Sequence, residues 1–150
     1  MNTFTGGRML AALVLSSLGI LTLGVTGASA APTTSSSVTG PYVGQPEGCN
    51  LGFFCSYNGG NGGNLCFQAN YSTNFPTGCA DQNDGAFNYS SVPVNLYWGF
   101  NDYGAYYVLP AGHYLLDMTQ NYFDKCPSGG TSCAGYGQIM YDNVEAVLFT

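Results

Sequence analysis

His113 is the one imidazole in the chain, and eight Asp and Glu side chains are its main partners for moving protons near neutral pH. Acid-base or nucleophilic catalysis needs such groups to converge. In an extended segment Asp117 shares a face with His113 but lies about 13 Å away at roughly 3.3 Å per residue, too far to orient the ring. Asp81 and Asp84 fall in the polar stretch CADQNDG, where Asp and Asn shape turns by bonding nearby backbone. A glycosidase pair would need a set separation and one raised pKa, and the sequence supplies neither. The chain is therefore expected not to be an enzyme and to need no cofactor.

Six cysteines carry the remaining chemistry: Cys49, Cys55, Cys66, Cys79, Cys126 and Cys133. Zinc is the rival to disulfides, but there is one histidine and no C-x2-C spacing. Bridges are the expectation, and with them an oxidising compartment. The segments CNLGFFC (Cys49 to Cys55) and CPSGGTSC (Cys126 to Cys133) are candidate presentation loops. Leu51, Phe53 and Phe54 in the first would suit an apolar protease pocket, while a strand edge buried in the core is the competing reading. The second has no large apolar residue, and Pro127 after Cys126 is unattractive at a cleavable bond.

A further set, Trp98, Phe100, Tyr103, Tyr106 and Tyr107, clusters around a glycine-containing turn. Flat rings with wet polar tips make a platform on which sugar rings stack. The competing reading is that most of these rings are core.

Ahead of these residues, Arg8 is followed by an apolar run from Met9 to Val25 and by Ala28-Ser29-Ala30. Residues 1–30 thus read as a secretory signal peptide, not a membrane anchor, because Ser16, Ser17, Gly19, Thr22 and Gly24 interrupt the run. Residues 31–46, APTTSSSVTGPYVGQP, read as a flexible leader. Lys125 is then the one basic side chain against eight carboxylates, a formal charge of minus 7. Nucleic acid and anionic lipid are excluded as partners, since both require clustered Lys or Arg. The mature protein is expected outside the cell and off the membrane.

The elements that must position these groups are strands. After Glu47 short apolar runs alternate with Gly, Asn, Asp, Ser and Pro, and no 3.6-residue period persists. Strands are predicted over about 52–57, 65–69, 94–98, 105–109, 113–118, 138–141 and 144–149. In 113–118 the alternation assigns Tyr114, Leu116 and Met118 to the core face. The fold class is a small all-β sandwich or barrel.

Two stretches repeat one grammar: CSYNGGNGGNLCF and LYWGFNDYGAYYVL, each followed later by an Asn- or Asp-bearing stretch, NYSSV (Asn88 to Val92) and YDNVEAV (Tyr141 to Val147). Together they resemble the βγ-crystallin Greek-key motif. Cys49-x5-Cys55 running into Ser56-Tyr57, with LYWGFNDYGAYYVLPAGHYLL, is similar to the actinobacterial metalloproteinase inhibitors of peptidase inhibitor family thirty-six. The resemblance spans 49–150. It implies a disulfide-stapled βγ-crystallin-like sandwich in 47–150, with two Greek-key motifs over about 47–92 and 93–150, and Tyr103 packed over Gly104 or Gly99. Short separations and the C-x5-C likeness favour Cys49 with Cys55, Cys66 with Cys79, and Cys126 with Cys133. The function implied is inhibition of an extracellular protease by a rigid loop, with a metalloprotease as the target the resemblance implies; the alternative is a carbohydrate- or surface-binding module for cell-surface polysaccharide, with Leu51, Phe53, Phe54, Trp98, Phe100 and Tyr103 as candidate contacts. The motif also implies oxygen ligands for calcium, of which one stretch keeps Asp142 and Asn143 and the other Ser90 and Ser91. Each half lacks a different part of the set, so the expectation is no bound metal beyond weak calcium.

Overall fold

A computed structural model describes residues 47–59 and 63–150. The signal and leader segments, 1–30 and 31–46, and residues 60–62 of CSYNGGNGGNLCF lie outside the described residues. The described chain is all-β, with one short 3-10 turn at Met118–Gln120. The strands are β1 (Phe54–Asn58), β2 (Asn64–Ala69), β3 (Thr73–Asn74), β4 (Gly85–Asn88), β5 (Val94–Gly99), β6 (Tyr103–Leu109), β7 (Tyr114–Leu115) and β8 (Ala146–Phe149). They form two four-stranded sheets, in the orders β2-β1-β4-β7 and β3-β8-β5-β6, with every pair antiparallel.

The order of strands carries an internal two-fold pattern. Each run of four strands keeps its first, second and fourth in one sheet and gives its third to the other: β3 pairs with β8, and β7 with β4. Hydrogen bonds repeat the pattern. Asp84 N–H donates to Tyr57 C=O as Glu145 N–H donates to Tyr97 C=O, both at 2.9 Å. Met118 N–H donates to Asp84 C=O at 2.9 Å, as Phe75 N–H does to Glu145 C=O at 2.8 Å. Both hairpins also break register near the turn, at Ser56/Tyr57 and at Tyr97/Gly99.

Between the sheets lies the main core, including Phe54, Phe75, Ala86, Leu96, Tyr107, Leu109, Leu115, Phe123 and Val147. Because successive strand residues face opposite ways, Cys55 and Tyr57 project from the outer face of the first sheet. There they join Cys49 and Phe87 in a second, smaller cluster, with Phe53, Leu65, Tyr89 and Tyr114 packed against it. The three disulfides are Cys49–Cys55, Cys66–Cys79 and Cys126–Cys133, the sequence-local set. Treated as short loop closures, each is worth roughly 2–3 kcal/mol.

Several expectations need correction. The 113–118 segment holds a strand of two residues, Tyr114–Leu115, and Leu115, not Leu116, enters the core. Asp117 ends that strand: its carboxylate accepts the Thr119 N–H at 2.8 Å and starts the 3-10 turn, which swings Met118 inward. Residues 138–141 form no strand but a single bridge, Tyr122 to Ile139, between Gly135 and Gly137 at φ near 80° and 74° and Asp142 at φ 55°. Strands β3 and β4 were absent from the sequence expectation. Tyr103 does pack on a turn glycine, Gly99, whose added Cβ would meet the Tyr103 ring at 3.0 Å.

Gly135 supplies a stability test. A Cβ there would stand 2.2 Å from Cγ of Trp98, on a backbone at φ 80°, whereas Gly129 at φ 74° has open space around it. Gly129→Ala is expected to cost about 1–2 kcal/mol, the left-handed penalty alone. Gly135→Ala must also displace the indole and is expected to cost about 3 kcal/mol or more. Urea unfolding midpoints of the two variants measure the difference.

Candidate functional site

The first cysteine loop is built as a tight turn on a buried base. Cys49 and Cys55 are wholly buried, while Leu51 between them is 76% exposed. Phe53 N–H donates to Asn50 C=O at 3.1 Å, closing a β-turn with Leu51 and Gly52 at its centre. Gly52 sits at φ 89°, a positive value that turns of this class require at their third position and that glycine adopts without strain. The turn is fastened to its neighbours: Gly52 N–H donates to Tyr89 C=O at 2.9 Å, Tyr89 N–H to Phe53 C=O at 2.8 Å, and Asn50 N–H to Gln68 Oε1 at 3.2 Å. Leu51 is thus an apolar side chain held out in water on a backbone that is already ordered.

The other two residues proposed with it behave differently. Phe53 is half-buried against the outer cluster. Phe54 has no exposure and stacks toward Phe75 in the main core at 5.8 Å, so it cannot meet a partner. The alternation of β1 is the reason: it sends every second residue of this segment between the sheets.

The aromatic platform also divides. Trp98 is half-buried against the main core, Tyr107 lies within it, and Tyr106 packs on Tyr97 with ring centres 5.2 Å apart. Phe100 and Tyr103 are 44% and 62% exposed. Tyr71, which no sequence pattern singled out, is 65% exposed in the turn between β2 and β3. It stands in the polar run NYSTN, where one ring among Asn, Ser and Thr has no apolar neighbours to bury against.

His113 is held locally. Its Nδ1 meets Ala111 C=O at 2.9 Å, and its backbone C=O accepts Asn88 N–H at 2.9 Å. The Asp117 carboxylate is engaged by Thr119, which lowers its pKa. The two are not brought together.

The carboxylates gather where the two halves meet. The Asp84 carboxylate accepts the Gly59 N–H, and its counterpart Glu145 accepts the Phe100 N–H at 3.2 Å, so each closes over the tip of its own half's first hairpin. Burial raises Asp142, with the charges of Asp84 and Asp81 adding to it. Glu145 is raised by burial, then by the charge of Asp81, against the lowering effect of its bond to Phe100. Asp102 is raised by burial.

The residues kept from the calcium motif do not converge. Ser90 Oγ bonds Asn88 Oδ1 at 2.6 Å beyond the end of β4, as does Ser90 N–H at 3.2 Å, and Ser91 follows it. Asn83, just ahead of β4, is the residue that touches the segment after Asp142 and Asn143, through Val144. The length of β4, about 13 Å for four residues, therefore lies between the two pairs. The Asn143 amide is spent on Ile139 and Tyr141 C=O at 3.1 and 2.8 Å. No group of three or more His, Cys, Asp or Glu among the described residues is placed to hold a metal ion. Calorimetry with calcium is expected to show no site tighter than roughly millimolar, and a chelator to leave the melting temperature unchanged.

The raised carboxylates set a pH dependence. With folded pKa values above the unfolded ones, Asp102, Asp142 and Glu145 favour folding when protonated; that contribution is full below their unfolded pKa values and is lost as pH rises through the folded values. Asp117, lowered, works in the opposite direction but is exposed and screened. The melting temperature is therefore expected to rise as pH falls from neutral toward the carboxylate range. Asp142→Asn, which keeps the left-handed backbone that Asn tolerates, is expected to raise the melting temperature at neutral pH and flatten its acid rise. Thermal melts across pH check both.

No family model, no curated protein and no solved structure matches this chain, so its chemistry is read from its own residues.

Proposed function

We propose that this chain is a secreted, βγ-crystallin-like binding protein that inhibits an extracellular protease by presenting the Leu51 turn. Two sheets that exchange their third strands, a tyrosine over a turn glycine and three local disulfides support the Greek-key assignment. Three disulfides are consistent with an extracellular site, and no helix among the described residues is long and apolar enough to cross a membrane.

The observation that carries the inhibitory reading is Leu51, a branched aliphatic side chain 76% exposed between two wholly buried, bridged cysteines. A loop already fixed by a disulfide, three backbone hydrogen bonds and one to the Gln68 side chain loses little entropy on entering a cleft. It also resists being drawn into the extended, cleavable form. The partner is a protease whose subsite accepts a branched aliphatic side chain, with a thermolysin-like metalloprotease first among the candidates.

Titrating the disulfide-intact protein against metallo-, serine and cysteine proteases tests the proposal. Inhibition of one class is expected, and Leu51→Ala is expected to weaken it about 10- to 100-fold, the equivalent of burying one leucine side chain, with the melting temperature unchanged. Absence of inhibition of every class at about 10 µM, which corresponds to a Kd weaker than most specific complexes, would refute it. So would a Leu51→Ala variant as potent as the parent.

A further inference from the structure

The second sheet ends in a polar cleft of about 310 Å³, lined by Ser72, Thr73, Asn74, Asn101 and Asp102. Every lining residue bears a hydroxyl, a carboxamide or a carboxylate. Asp102 also borders an adjoining cleft of about 470 Å³, whose other walls include Tyr103, Pro127, Ser128 and Ser132. Small-molecule sites fall in the range of roughly 300–1,000 Å³. Tyr71 precedes Ser72 in the chain and Tyr103 follows Asp102, so both segments that line the first cleft carry a tyrosine more than half exposed.

These walls are fixed in place. Asn74 Nδ2 donates to Asn101 Oδ1 at 3.0 Å, and Asn101 N–H donates to Asn74 Oδ1 at 2.6 Å, tying the β3 end to the β5–β6 turn. Asn101, Asp102 and Gly104 take φ of 57°, 59° and 82°, and Ala105 N–H donates to Ala134 C=O at 2.7 Å just beyond them. A Cβ on Gly104 would lie 2.7 Å from that same carbonyl, so the turn bearing Tyr103 is pressed against the third disulfide loop. A surface that needs no rearrangement spends little of its binding energy on ordering.

We infer that this surface, apart from the Leu51 turn, is a binding site for a neutral oligosaccharide. Vicinal sugar hydroxyls both donate and accept, which matches the Asp102 carboxylate and the Asn101 Nδ2, with a Ser72 hydroxyl that can still donate while accepting Phe149 N–H and a Thr73 hydroxyl that can still accept while donating to Asn74 C=O. The apolar C–H face of a pyranose stacks on an exposed phenol ring; Tyr103 lines the adjoining cleft, and exposed Tyr71 is next in the chain to Ser72 of the first. The ligand carries no negative charge, because no cation lines either cleft and a carboxylate lies between them. An extended peptide would seek apolar pockets, and the first cleft offers none.

The test is retention of the disulfide-intact protein on cellulose, chitin, β-1,3-glucan and starch, with polygalacturonate as the anionic comparison, followed by calorimetry with the hexasaccharide of whichever neutral polymer retains it. Binding to at least one is expected. Tyr71→Ala and Tyr103→Ala are each expected to weaken it about tenfold, and Asp102→Asn severalfold, with the melting temperature of Tyr71→Ala held near the parent's. Tyr141→Ala, another exposed tyrosine at 38%, is the control and is expected to bind as the parent does. Three results would overturn the inference: no retention on any of the four polymers, equal loss in the Tyr141 control, or retention confined to an anionic polysaccharide.

Discussion

A buried amide pins the two halves of the fold to each other. Asn83 is wholly buried; its Nδ2 donates to Cys79 C=O at 2.6 Å and to Val144 C=O at 3.2 Å, and its Oδ1 accepts Val144 N–H at 3.1 Å. In effect the side chain acts as one rung of backbone pairing between the two halves. A carboxamide that deep is tolerated only when its donors and acceptor are satisfied, so the position fixes how the halves meet as well as holding them together. The flanking bonds from Asp84 N–H to Tyr57 C=O and from Glu145 N–H to Tyr97 C=O then place equivalent carboxylates over equivalent hairpin tips.

That arrangement gives the first sheet apolar material on both faces. Its inner face meets the second sheet, and its outer face would be left wet without the segment from Glu47 to Phe53. Tyr57 Oη reaches Glu47 C=O at 3.4 Å and the Cys49–Cys55 bridge anchors the flap. The short flap covers the outer cluster with Cys49 and Phe53 and leaves Leu51 in solvent. Exposure of that leucine follows from the geometry of the cover, and the same fastening gives the turn its rigidity.

The same two-sided burial decides what could be read from the sequence. The long hairpins β1–β2 and β5–β6 were legible because aromatic and aliphatic residues alternate on either side of glycine-bearing turns. Alternation failed at Tyr114 to Met118, since Tyr114 faces the outer cluster and Leu115 the main core, and both faces accept apolar residues. Strand β3 is two residues, Thr and Asn, and β4 is GAFN, buried throughout, so neither carries a periodic signal. The bridge that closes the first cysteine loop was legible from its spacing, but the exposure of Leu51 alone among Leu51, Phe53 and Phe54 was not, because it depends on which face of the first sheet each side chain meets. Nor were Tyr71 and the convergence of Asn74 with Asn101, because sheet order, not spacing, brings those turns together.

Strand exchange also governs the order in which a growing chain can acquire structure. A chain emerging from its N-terminal side completes β1, β2 and β4 before β7 exists, and β3 has no partner until β8 arrives. Its first half therefore stays open-edged through most of synthesis, with the apolar faces of Phe54 and Ala86 unshielded. Folding is thus deferred to a late, nearly all-or-none event dominated by contacts distant in sequence, the regime in which small β proteins fold slowly. A polypeptide that stays unfolded this long remains threadable through a narrow pore.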